Sequence, residues 1–159
     1  MIKNYTSAVP IERTIMRIEG ALIRGGAIGI SKEYKGGELE AIHFSIPGPE
    51  NRLMMIRLPG DIKAVYEVLL SKMRRPRPET LRRLQEQSAR TAWKIVQEWV
   101  EVQMSFIEMR QAEFLQIFLP FMWDGSKTLY LALKATGFKM LEGGFKMLPE
   151  GKSGEKQRG

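Results

Sequence analysis

Residues 28–47, IGISKEYKGGELEAIHFSIP, decide the fold. Ile42, Phe44 and Ile46 share one face of a strand, with His43 on the other, the period-2 pattern of a half-buried strand. In the run before it Ile28, Ile30 and Tyr34 alternate, with Lys32 on the same side. A Lys35-Gly36-Gly37 turn joins the two as a hairpin. Downstream, Pro47-Gly48-Pro49-Glu50-Asn51 is a dense turn cluster. Leu53 to Leu58 then reads as a third strand with apolar residues on both faces, ended by Pro59-Gly60.

Helical periodicity brackets these strands. From Pro10 to Arg24, Ile11, Ile15, Ile18 and Leu22 form one apolar stripe, with Pro10 at the first helical position and Gly25-Gly26 as the stop. Asp61 is placed to N-cap a second helix whose buried stripe is Ile62, Val65, Tyr66, Leu69 and Met73. The order predicts an α+β fold: an N-terminal αβββα layer in which two helices cover one face of a three-stranded antiparallel sheet. Double-stranded RNA-binding domains share that order, but their basic second-helix start is missing. Ile62-Lys63-Ala64-Val65 offers one lysine where a cluster is needed.

The second half reads as helical. Arg74-Arg75-Pro76-Arg77-Pro78 forms a linker, because two prolines forbid helix continuation. No Gly or Pro interrupts Glu79 to Leu119, which predicts a long helical segment stopped by Pro120, roughly 60 Å long if unbroken. Its later part is apolar on several sides, at Val96, Trp99, Val100, Phe106, Ile107, Phe114 and Phe118. A helix of that kind needs cover on several sides, from the C-terminal segment or from another subunit; the second is the more economical source, so these residues are predicted to form an oligomerisation surface, a dimer by default. A short helix follows from Lys127 to Ala135. Gly137-Phe-Lys-Met-Leu141 then recurs as Gly144-Phe-Lys-Met-Leu148, a duplication too short for a repeat architecture. The predicted organisation is a sheet domain at 1–73, the linker at 74–78, a helical region at 79–136 and a partly disordered tail at 137–159.

Composition narrows the chemistry. The chain has 159 residues, no cysteine and one histidine, His43. Disulfides, thiolate zinc sites and cysteine nucleophiles are therefore excluded, as are multi-histidine metal centres. His43 has no neighbouring Ser, Asp or Cys to complete a triad, and no nucleotide-binding or zinc-protease motif is present. The expectation is a non-enzymatic protein without cofactor or metal. No apolar run is long enough to span a membrane, and no signal peptide opens the chain, which points to the cytoplasm. Sixteen Glu with only two Asp and two Asn, beside abundant Lys and Arg, lean toward a heat-adapted source.

Twenty-five basic against eighteen acidic residues give a net charge of +7. The window from Lys72 to Lys94 holds +6 of it: eight basic residues against Glu79 and Glu86. Arginine suits phosphate, because its planar fork donates two hydrogen bonds and stays charged. Arg74, Arg75, Arg77, Arg82, Arg83, Arg90 and Lys94 are therefore the candidate nucleic-acid contacts, with DNA or RNA as partner, bound non-specifically and salt-dependently. A competing pattern overlaps them. Arg82, Glu86, Arg90, Lys94 and Glu98 are spaced as an i, i+4 ladder of a solvated, ion-paired helix face.

Several stretches together resemble one family. They are Tyr5-Thr6-Ser7-x-Val9-Pro10, Ile18-Glu19, Gly26-Ala27, Ala89-x-x-Ala92-Trp93, Glu98-Trp99-Val100 with Gln103, Phe118-Leu119-Pro120 and Thr128-Leu129-Tyr130. The combination resembles small uncharacterised proteins encoded by bacteriophages and integrative mobile elements, over about residues 5 to 135. The resemblance implies an accessory protein of a mobile element, where DNA-handling and anti-defence factors are both common, and it carries no catalytic residue across. The leading expectation is a nucleic-acid-associated protein. The rival is an oligomeric interaction or anti-defence protein that blocks or sequesters a host protein or a small ligand.

Overall fold

Alternation builds the central strand. In the computed structural model, which describes residues 1–145 and Leu148, β2 (Glu38–Pro47) lies between β1 (Ile28–Lys35) and β3 (Leu53–Pro59), antiparallel to both. Lys32 and Leu58 flank Ile42, while Ser31 and Arg57 flank His43. Ile42, Phe44 and Ile46 are wholly buried on one face. Gly36 and Gly37 both take positive φ, 58° and 81°, as a tight two-residue hairpin turn requires. The expected order of helix, three strands and helix is the one observed.

α1 (Ile11–Gly25) buries Ile15, Ile18 and Leu22 along the predicted stripe. It stops where Gly26 turns left-handed at φ 108°, its amide donating to the Ile23 carbonyl. Asp61 N-caps α2 (Ile62–Leu70), accepting from the Ala64 amide at 3.1 Å. α3 (Pro78–Glu108) packs against both α1 and α2. Trp93 anchors it: the ring is fully buried and its N–H donates to the Leu39 carbonyl of β2 at 3.2 Å. Gly60 admits that ring, since a Cβ there would come within 2.4 Å of it.

The structure corrects four expectations. The long helix ends at Glu108, about 46 Å from its start at 1.5 Å per residue. Arg110 takes a left-handed backbone at φ 57°, and the chain doubles back into α4 (Phe114–Phe118). Second, α3 adds to the cover over the sheet, with Ala89, Ala92, Trp93 and Val100 joining Ile62 of α2 and the β2 and β3 side chains in one core. That core runs from Ile15 to Phe118, so the 74–78 segment joins two parts of a single core. Third, Met73 lies outside α2 and is exposed. Fourth, Gly29 (φ 63°) sits at a bulge that puts Ile28 opposite Ser45, so Ile28 leaves the face of Ile30 and faces away from the helices.

The C-terminal part closes the other sheet edge. Met122 bridges Ile56, and the Trp123 amide donates to the Met55 carbonyl at 2.8 Å. Asp124 Oδ1 accepts from the Ser126 and Lys127 amides, both at 2.8 Å, which tightens the following turn. These bonds hold the Asp124 carboxyl well below the usual carboxylate range. Thr128 caps α5 (Leu129–Ala135), and the first repeat copy ends that helix, with Phe138 packed on Tyr130. Part of the second copy, and the 151–159 tail, lie outside the described residues.

Candidate nucleic-acid interface

Two helices and a turn present the basic segment. α2 ends at Leu70, the chain turns through 71–77, and α3 begins with Pro78 at its first position, where the missing N–H costs nothing. Arg75 makes the turn in a left-handed conformation, φ 48°. Arg77 precedes the helix as its cap residue but supplies no side-chain cap bond. The first-turn amides of α3 therefore have no side-chain acceptor there.

The seven predicted contacts divide in two. Arg74, Arg75, Arg77, Arg82 and Arg83 are exposed, and among the described residues none of them is ion-paired. Arg82 and Arg83 stand three and four residues after Glu79, a spacing that permits pairing, yet no such pair forms. Arg90 and Lys94 are engaged inside the chain. Arg90 donates to the Ser7 carbonyl at 3.2 Å and to Gln87 at 2.7 Å. Lys94 donates to the buried Gln97 at 3.2 Å. Arg90 thereby joins a strap in which the N-terminal residues cross α3, reinforced by the Thr91 hydroxyl on the Asn4 carbonyl and by Lys3 on Glu98. That lysine, through its hydrogen bond, holds the Glu98 carboxyl below its ordinary value. The predicted ladder of ion pairs along α3 is not formed: Glu98 turns to Lys3, and Arg90 to the strap.

The predicted oligomerisation residues are placed differently as well. Val100 and Phe118 are fully buried within the chain, and Val96, Trp99 and Phe114 pack against the same core. Phe118 meets Phe44 and Trp99 edge-on at 5.1 and 5.7 Å. Phe106 is exposed and Ile107 half-buried. α4 supplies the cover that a second chain was expected to give, so burial of Val96, Trp99, Val100, Phe114 and Phe118 needs no partner copy.

One polar cluster escaped the sequence reading. On the sheet face away from the helices, the Glu33 carboxylate accepts from Arg57 Nε and Nη2 at 3.0 and 3.1 Å and lies 2.6 Å from His43 Nε2. Trp123 completes it, edge-on to His43 at 5.9 Å, with the Arg57 guanidinium 5.1 Å from its ring centre. Arg57, then His43, hold the Glu33 carboxyl down to about 2. A carboxylate so held has no proton to give near neutrality. The cluster ties all three strands together instead. Its signal was available in the outward positions of the three strands, once glutamate is admitted as the partner of the histidine.

Among the described residues no group of three metal-ligating side chains occurs, and no helix is long and apolar enough to cross a membrane. A groove of about 660 Å³ opens between α1, the β1–β2 hairpin and α3, floored by Ile15, Leu39, Ile62 and Trp93. None of the five free arginines lines it. No family model, curated protein or solved structure matches the chain.

Proposed function

We propose that the protein binds nucleic acid through its phosphate backbone, without catalysis, using the turn between α2 and α3. One observation carries the reading: five exposed arginines, Arg74, Arg75, Arg77, Arg82 and Arg83, stand together in sequence with no acidic partner among the described residues. Exposed Lys72 adjoins them, and the uncapped start of α3 adds backbone N–H donors beside them. A surface of guanidinium forks that make no base-specific pocket suits non-specific contact with DNA or RNA. Arg90 and Lys94 are left out of this interface, because both are engaged within the chain. A mobile-element setting, implied by the resemblance in sequence, fits such an accessory role.

Fluorescence anisotropy with labelled mixed-sequence DNA and RNA at low salt tests it. Binding is expected for the native chain and loss of at least tenfold in affinity for the triple variant Arg74→Glu, Arg75→Glu, Arg77→Glu, with unchanged circular dichroism. Absence of binding at low salt by the native chain refutes the proposal. So does a triple variant that binds as well as the native chain.

A further inference from the structure

β1 is an edge strand. The sheet order is β1-β2-β3, and among the described residues nothing pairs with the outer side of β1, whereas Met122 bridges the opposite edge. Natural edges are commonly guarded by a projecting lysine or by bulges. Here Lys32 is drawn back onto Glu19 of α1 at 2.9 Å, a hydrogen bond that raises its pKa above the ordinary lysine value. The two bulges lie at the ends, leaving Ile30–Glu33 regular between them.

The groove described above adjoins this strand. Lys32 and Tyr34, from the helix-facing side of β1, form part of its wall, and Tyr34 and Met16 are 61% and 70% exposed at its mouth. Its charge is the opposite of the molecule's. Three carboxylates, Glu12, Glu38 and Glu86, line it, and none has a cation within ion-pair distance among the described residues. Among the described residues the Glu38 carboxylate accepts only from the neutral amide of Gln85. The two cations in the wall are engaged elsewhere, Lys32 by Glu19 and Arg90 by Ser7 and Gln87. An uncompensated acidic mouth over an apolar floor, on a chain of net charge +7, selects a cation with apolar neighbours.

We propose that the β1 edge and this groove bind an extended peptide segment of a partner protein, paired to β1 as an added strand. Alternate side chains of the added strand enter the groove: apolar ones reach its floor and a basic one meets the free carboxylates. Backbone pairing supplies affinity and the groove supplies the choice of side chain. The site is separate from the arginine turn, so either can fail without the other.

The probe is the blocked pentapeptide Leu-Thr-Arg-Thr-Leu, whose first, third and fifth residues share one face, against Leu-Thr-Glu-Thr-Leu as control. Two-dimensional amide NMR of the full chain is expected to show perturbations at Ile30 to Tyr34 and at the Trp93 indole with the arginine peptide only. The double variant Glu12→Gln, Glu86→Gln, at two exposed positions, is expected to weaken binding about threefold to tenfold with an unchanged spectrum elsewhere. No perturbation at millimolar peptide overturns the proposal, as does equal binding of the glutamate peptide or of the double variant. A dimer whose β1 amides are already protected without peptide assigns the edge to a second copy and likewise overturns it.

Discussion

At the scale of single residues, Glu33 and Gly60 carry the most. Glu33 joins β1 to β3 across His43, and its partners favour the ionised form. Its folded pKa lies below its unfolded value, so its contribution is complete above about pH 4.5 and fades as pH falls toward about 2. Glu33→Gln should therefore destabilise by about 1–2 kcal/mol near neutrality, the value for a charged hydrogen bond reduced because the side chain is one-third exposed. Urea melts of the two proteins should converge as pH approaches 2; a constant gap down to that pH would mean that the carboxylate charge is not what matters. Gly60 has no room for a methyl group against Trp93. Gly60→Ala should cost about 1–3 kcal/mol through overpacking, read as a lower urea midpoint with unchanged slope. Gly60 was legible in the sequence only as a strand terminator. Its closeness to Trp93 depends on α3 crossing the sheet, which no local pattern encodes.

At the scale of elements, the strands, α1 and the Asp61 cap were legible because each is a local pattern of period, turn and cap. Three kinds of feature were not. The break after Glu108 has no Gly or Pro to mark it; an arginine takes the left-handed position, and the reversal is held by Phe114 and Phe118 packing on Phe44. The bulge at Gly29 shifts Ile28 to the other face, an effect invisible to simple alternation. Arg90 looked like surface charge because the N-terminal strap that engages it comes from tertiary packing, and Lys94 because only packing buries its i, i+3 partner Gln97. α4 covers the core from within the chain. Phe118→Ala should destabilise by about 3–5 kcal/mol, the cost of emptying a buried aromatic site, measured by thermal or urea melts. The loss should be independent of protein concentration, since Phe118 packs inside one chain; a concentration-dependent midpoint would return it to a subunit interface.

At the scale of the whole molecule, charge is divided. Among the described residues the core from Ile15 to Phe118 is apolar, the α2–α3 turn and the start of α3 hold arginines without an acidic partner, and the groove beside β1 holds carboxylates without a cation. The basic window was legible from sequence as a run of charge. Which of its members are free was not, because that depends on the strap and on ion pairs that do not form. In the proposed function the exposed arginines neutralise backbone phosphates, so binding to duplex DNA should weaken steeply as salt rises. Five contacts predict a slope of log K against log salt of about −4 to −5, and the Arg74→Glu, Arg75→Glu, Arg77→Glu variant should flatten it by about 3. A native slope near zero, or a variant slope equal to the native one, would mean that these arginines do not contact phosphate.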